Sequence, residues 1–209
     1  MSKFHDGRES GVLVRRYTND KIKELFRKSI HLCSALVPPL LARARIPVLC
    51  ALCAVLFFYC VAEFLRMRGF SVFLVSKITE AAARKRDENR FVLGPVCLAL
   101  GILITEILFD AKAAAVGIYA LAFGDGLASL AGKMFGITVI PHTAGKTVIG
   151  SLTCFTAIFL SSWAVSGSTF AALIIAVCGM AIELIPLKDF DNLIIPIVSA
   201  FIAQFYFHI

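Results

Sequence analysis

Four carboxylates in this chain fall inside long apolar stretches: Glu63, Glu106, Asp125 and Glu183. A carboxylate near the centre of a membrane helix costs roughly 2.5–3.5 kcal/mol on insertion scales, so such residues usually face a cavity or a partner. Glu63 reads either as snorkelling from the end of its stretch or as functional. Glu106, with Asp110 and Lys112 just beyond it, reads as a member of an interfacial ion pair. Asp125 stands apart. It lies in Phe123-Gly124-Asp125-Gly126, and no cation follows it before Lys133. The flanking glycines let another backbone or a ligand come close, while Gly124, Ala128 and Gly132 make a small-xxx-small face for tight helix packing. A carboxylate with that access suits magnesium, which usually takes one or two carboxylates plus substrate phosphates. The structural alternative is polar glue between helices.

The loop that follows, Gly132 to Gly150, is rich in glycine, carries Lys133, His142, Lys146 and Thr147, and opens directly into another apolar helix. Free backbone amides in glycine loops and at helix amino termini, together with lysines, hold phosphate. Gly145-Lys146-Thr147 is nevertheless not a P-loop: the glycine needed five positions earlier is Ile140, and no buried strand precedes it. Farther on, Glu183 and Pro186 are followed by Lys188, Asp189, Asp191 and Asn192. That group could ligate a second magnesium, read a nucleotide base or ribose, or form only a solvated turn. Near the start, Glu24, Arg27, Lys28 and His31 share one face of a helix. Its three basic members could contact phosphate or simply mark orientation.

Composition identifies the elements that must position these groups. Of 209 residues, 59% are hydrophobic and 17% charged, with a formal net charge of +7. A soluble domain has roughly 45–50% apolar residues, so a soluble globular enzyme is excluded, and disorder is excluded with it. Stretches 46–65, 91–109, 111–131, 148–166, 169–187 and 193–209 reach the ~17–25 residues that cross a bilayer. The shorter 29–42 contains Pro38 and Pro39 and could be broken or re-entrant. The expected fold is an all-α polytopic membrane protein with about seven transmembrane helices. Cytoplasmic loops are enriched in lysine and arginine. A cytoplasmic amino terminus puts nearly all of the basic residues on that face, leaving only Arg43, Arg45 and Lys112 opposite. The chain then divides into a basic cytoplasmic segment, 1–28, and one membrane domain, 29–209, with cytoplasmic loops 66–90, 132–147 and 188–192. Within 66–90, Phe70, Phe73, Leu74 and Ile78 precede Arg84-Lys85-Arg86 and describe either a helix lying in the headgroup plane or a solvated connector. All seven cysteines fall in apolar stretches, so no disulfide framework is implied, and Cys50, Cys53 and Cys60 read as a packing stripe. The first 28 residues lack the apolar core of a signal peptide, and the amino terminus is expected to be retained.

Four pieces stand in order over residues 24–196: Glu24-x-x-Arg27-Lys28-x-x-His31; Gly124-Asp125-Gly126-x-Ala128-Ser129-x-x-Gly132-Lys133-x-Phe135-Gly136; Lys146-Thr147-x-x-Gly150-Ser151; and Glu183 with Asp191-Asn192-x-x-x-Pro196. The ordered set resembles the CTP-dependent lipid-alcohol kinase family, which includes dolichol kinase, phytol kinase and the CTP-using diacylglycerol kinase and is similar to the phosphatidate cytidylyltransferases. Val148-Ile149 stand where relatives commonly carry an acid before the glycine, so no role for that acid transfers. The resemblance implies magnesium-dependent transfer of the γ-phosphoryl group of CTP to the hydroxyl of a lipid alcohol of the diacylglycerol, polyprenol, dolichol or phytol type. On that reading Asp125 serves as magnesium ligand or base, and Lys133, Lys146 and Thr147 hold the triphosphate. Asp191 and Asn192 hold metal or nucleotide, Glu183 orients them, and Arg27, Lys28 and His31 complete a cationic wall. The partners are then a lipid alcohol, a nucleoside triphosphate and the bilayer, with no nucleic acid. The protein would reside in the inner membrane of a bacterium, or in an endoplasmic reticulum or plastid membrane of a eukaryote. Cytidylyl transfer to phosphatidic acid is the nearest alternative, and a non-enzymatic transporter the next.

Overall fold

A computed structural model describes residues 22–70 and 90–207. Most of the basic segment 1–28, the headgroup-plane helix considered for 66–90, and the last two residues of the stretch 193–209 lie outside the described residues. Among the described residues the fold is all helical, apart from one isolated bridge between Val139 and Thr147. In order come α1 (22–33), a 3-10 turn (Ser34–Leu36), α2 (Val37–Met67) and α3 (Gly94–Leu108). Next, α4 (Ala111–Tyr119) runs through a π-helical turn (Ala120–Asp125) into α5 (Gly126–Phe135), followed by α6 (Val148–Ser166), α7 (Thr169–Leu184) and α8 (Asp191–Phe207).

Local sequence sets the boundaries. Thr147 caps α6 by accepting the Gly150 amide at 3.2 Å, and Gly167 ends it in the left-handed region at φ 73°. Ser168 caps α7 at once by accepting the Ala171 amide, so two residues suffice to turn α6 back along α7. Pro38 and Pro39, which could have broken the helix, do not. The 3-10 turn leads into the first turn of α2, where missing amide donors cost nothing. The break comes instead at Ala44, whose φ of −150° and ψ of 69° are not helical. Pro47 explains it: the proline has no N–H for the Arg43 carbonyl, and its ring collides with that carbonyl in a regular helix.

Among the described residues three helices are long and apolar enough to cross a membrane: Ile22–Met67, Ala111–Phe135 and Val148–Ser166. Helices α3, α7 and α8 are apolar but shorter. The burial pattern reverses that of a soluble domain. Ile46, Val55, Phe57, Phe58 and Phe64 are exposed on α2, whereas Glu24, Lys28, His31, Glu63, Glu106, Asp125 and Glu183 are buried. Apolar side chains facing outward, with charged groups turned inward beside an apolar core, suit a hydrocarbon solvent. Cys50 and Cys53 also face outward on α2, so they are not a packing stripe against the core, and all seven cysteines are free.

Helix α8 lies in the middle, packed against α3, α4 and α7. Glycines permit that: a Cβ on Gly101 of α3 would stand 2.3 Å from the Asn192 carbonyl oxygen, and one on Gly117 of α4 would stand 2.2 Å from that of Pro196. At one end of the bundle Arg45 Nε meets Glu106 Oε1 at 3.1 Å, Gln204 bonds Asp110, and Lys112 sits over the Phe207 ring. Glu106 thus has the expected ion pair, with Arg45 rather than Lys112 as its partner. The charged groups buried around Asp125 and Glu183 gather elsewhere, at a cleft.

Candidate functional site

Asp125 occupies the last position of the π-helical turn, a widened turn of a kind frequent at functional sites. Its glycine neighbours admit side chains rather than a ligand: a Cβ on Gly124 would stand 2.7 Å from Ile158 of α6, and one on Gly126 3.1 Å from Leu32 of α1. This close approach brings α1 onto the carboxylate. Lys28 Nζ donates to Asp125 Oδ2 at 2.5 Å. His31 Nδ1 lies 3.1 Å from the same oxygen, without hydrogen-bond alignment. Lys28 keeps 3% of its surface and Asp125 6%, so the pair is desolvated. The cation missing from the sequence around Asp125 is therefore supplied from 97 residues upstream.

A second hub is Glu24, which sequence reasoning did not place in the site. Arg27 Nη2 and Ser129 Oγ both donate to its Oε1, at 2.6 and 2.8 Å, and Lys133 Nζ reaches its Oε2 at 3.0 Å. The signal was present in the shared helical face of Glu24, Arg27, Lys28 and His31, but nothing in the spacing tied that face to Ser129 or Lys133. On the far wall Lys146 Nζ pairs with Glu183 Oε1 at 2.9 Å. The loop bearing Lys146 is closed by Ile140 N–H to the Lys146 carbonyl at 2.8 Å and Val148 N–H to the Thr138 carbonyl at 3.0 Å. It turns through left-handed conformations at His142, Ala144 and Gly145. Gly132, Gly150 and Thr147 meet where α5 crosses the start of α6, so the small-residue face is used for helix packing and Thr147 is a cap as well as a wall residue.

These groups surround a cleft of about 450 Å³, within the range of about 300–1,000 Å³ usual for small-molecule sites. Of the expected site residues, Arg27, Lys28, Asp125, Lys133, Lys146, Thr147, Glu183 and Asp191 line it. His31 and Asn192 line a smaller adjoining pocket. His142 is exposed on the loop outside both. Lys188 is added at the rim. Ser151, also unforeseen as a site residue, has a buried Oγ without a hydrogen-bond partner, as do Glu183 Oε2 and Asn192 Oδ1. A buried polar atom left unpaired costs about 1–3 kcal/mol, so three of them around these cavities point to a ligand that completes them.

Asp191 opens α8, two residues ahead of the apolar stretch 193–209, and accepts the Asn192 amide at 2.9 Å. Burial, with the negative charge of Asp125 adding to it, pushes its carboxyl up to about 6. Asp191 and Glu183 line the cleft and Asn192 the adjoining pocket, and their oxygens are hard donors of the type magnesium takes. Asp125 has Oδ2 committed to Lys28 and His31, which leaves Oδ1 for a metal. Among the described residues no three His, Cys, Asp or Glu side chains form a ready-made cage.

Glu63 neither snorkels nor reaches the cleft. It is fully buried, bonded to Arg66 at 2.7 and 2.9 Å, and accepts the Val92 amide at 2.9 Å. Tyr59 donates to the Val92 carbonyl at 3.0 Å, so α2 grips the entry to α3 through both backbone groups of one residue.

No protein-family profile matches the chain, and no solved structure matches it. An uncharacterised protein of Methanocaldococcus jannaschii is 28% identical over 195 residues, covering 88% of this chain and 94% of that protein. A probable chloroplastic phytol kinase of Triticum aestivum is 24% identical, covering 66% of this chain and 52% of the relative. A chloroplastic farnesol kinase of Arabidopsis thaliana is 27% identical, covering 63% and 48%. The chain spans about half the length of these two kinases.

Proposed function

We propose that this chain is an integral-membrane kinase that transfers the γ-phosphoryl group of CTP to the hydroxyl of a lipid alcohol. The observation that carries this reading is the cleft, where basic side chains are stored on carboxylates beside unpartnered polar atoms at one end of an apolar bundle. The likeness to proteins named phytol kinase and farnesol kinase supports the same chemistry, and CTP as donor follows from the family resemblance.

Phosphoryl transfer asks a protein chiefly for positioning and charge neutralisation. The hydroxyl oxygen attacks the γ-phosphorus while the bond to the β–γ bridging oxygen breaks. CDP leaves with the electron pair, and the hydroxyl proton passes to water or a cleft carboxylate. Lys133 and Lys146 each exchange a carboxylate for phosphate oxygens when nucleotide enters, and the Ser151 hydroxyl and the first turn of α6 add donors. Lys28, held by Asp125, stays at the point of transfer with Arg27 and His31 beside it. Magnesium would be held by Asp191 and Asp125, with Asn192 and Glu183 alongside. When bound it would offset the negative charge of the phosphates.

The bundle crosses the membrane seven times with its amino terminus in the cytoplasm, α1 and α2 supplying two spans that meet at Ala44. Cytoplasmic CTP then reaches the cleft directly, and the Arg45–Glu106 end faces away. The test is purified protein with radiolabelled CTP or ATP and a panel of lipid alcohols. Labelled lipid phosphate with CDP supports the reading. Pyrophosphate release with phosphatidic acid as substrate would replace it with cytidylyl transfer, and ion flux without nucleotide turnover would replace it with transport.

A further inference from the structure

The connection between α5 and α6 has two arms of unlike character. On the outgoing arm and the end of α5, Met134, Phe135, Ile137 and Val139 are 69, 62, 92 and 56% exposed. None of the four lines the cleft or the adjoining pocket, whereas Ala144, Gly145, Lys146 and Thr147 of the returning arm line the cleft. A contiguous exposed apolar patch marks a contact with a protein or a membrane. The neighbouring helix indicates which. On α6 the exposed apolar side chains Val148, Leu152, Leu160 and Trp163 follow at steps of four, eight and three residues and so share one face. This is the outward face of a helix long and apolar enough to cross a membrane. Its 19 residues rise about 28 Å, nearly the whole of a hydrocarbon core of about 30 Å, so Val148 stands at one boundary of that core.

The Val148 amide donates to the Thr138 carbonyl at 3.0 Å, which sets Ile137 and Val139 beside the outward face of α6 and at the level of its first turn. We propose that the outgoing arm is an interfacial anchor, with Met134, Phe135, Ile137 and Val139 seated among phospholipid chains just below the headgroups. The lipid-facing surface of α6 thus continues without a break onto this arm, and that continuity selects the bilayer as its occupant. The arm is also fitted to leave water: the Thr138 carbonyl accepts the Val148 amide, and the Ile140 amide donates to the Lys146 carbonyl at 2.8 Å, so these backbone groups need no solvent partner. The tip, where Pro141 and His142 are exposed, stays in water. One connection is then anchored in lipid on one side and forms a wall of the cleft on the other, and the bilayer surface sets the level at which Lys146 is held. This surface depends on the chain lying in a membrane and not on the reaction performed in the cleft.

Trp163 is the chain's one tryptophan, so a tryptophan placed elsewhere in a Trp163→Phe background reports on a single position. The full chain is studied in phosphatidylcholine vesicles. Ile137→Trp should lose most of its emission to phosphatidylcholine brominated high on the acyl chains and little to aqueous iodide. His142→Trp should show the reverse. Tryptophan itself favours membrane interfaces, so the contrast between the two positions shows that the arm, and not the probe, sets the depth. Equal quenching of the two positions by either reagent overturns the proposal. Protection of position 137 from both reagents also overturns it, because a second copy or another protein then covers the patch. Should Ile137→Trp fail to fold, Val139→Trp carries the same expectation and the same decision. Neither reading requires turnover, so failure of the kinase reading leaves this result standing, and loss of the anchor leaves the kinase reading intact.

Discussion

Lys28 and Asp125 are each nearly inaccessible, so neither can tolerate the loss of the other. Removing one partner of a buried pair typically costs about 3–5 kcal/mol, whereas replacing both with neutral groups is often close to neutral. Lys28→Met should therefore lower the thermal midpoint in detergent sharply, and Lys28→Met combined with Asp125→Asn should recover most of it. Lipid phosphorylation should stay lost in the double variant, which separates folding from chemistry in one series. Asp191 tests the linkage to pH. Its carboxyl, raised to about 6 by burial and by the charge of Asp125, is ionised at neutral pH only against that opposition. Because the folded value lies above the unfolded one, this group's stabilising contribution is present at low pH and is lost as pH rises to about 6. Asp191→Asn should raise the thermal midpoint at pH 7.5 and weaken nucleotide binding. Wild-type activity should fall as pH drops through 6, and a flat profile there would remove Asp191 from the site.

Helix packing decides where these side chains stand. The Asn192 carbonyl of α8 lies so near Gly101 that a methyl group there would stand 2.3 Å from it. Gly101→Ala should push the first turn of α8 outward and cost about 1–3 kcal/mol through overpacking. Since that turn carries Asp191 and Asn192, activity should fall further than the stability loss accounts for. Thermal unfolding together with nucleotide titration checks both effects. The small face Gly124, Ala128, Gly132 was legible in the sequence as a packing surface. The matching role of Gly101 and Gly117 was not, because neither belongs to a small-xxx-small pattern of glycines and the need for a missing side chain exists only once α8 lies against it.

The whole molecule has an apolar surface and an apolar core, with charged groups gathered at a cleft, and its helices are unequal in length. Helices α3, α7 and α8 have 15, 16 and 17 residues. At 1.5 Å rise they reach about 22–26 Å, short of a hydrocarbon core of about 30 Å. Glu183 of α7 and Asp191 of α8 line the cleft and Gly94 of α3 the adjoining pocket, so the site is built at the ends of these short helices. Mismatch costs fractions of a kcal/mol per Å, so turnover should be higher in thin bilayers of short-chain lipids than in thick ones, as measured in vesicles of graded acyl length. The proposed topology also predicts that a cysteine at His142 reacts with an impermeant reagent from the cytoplasmic side and one at Lys112 only from the opposite side. The reverse pattern would rule the orientation out.

Membrane class, helical architecture and the residues worth attention were readable along the chain, because hydropathy, helical spacing and the expense of an intramembrane carboxylate are local properties. Asp125 declared itself in that way. The pairing of Lys28 with Asp125, the three donors on Glu24, the storage of Lys146 on Glu183 and the grip of Glu63 on Val92 were decided only by the fold. Each joins residues that no helical period relates, or depends on two helices closing over a glycine. Sequence alone fixed which groups could not be left in lipid, and tertiary packing chose which of them would face one another across a cleft.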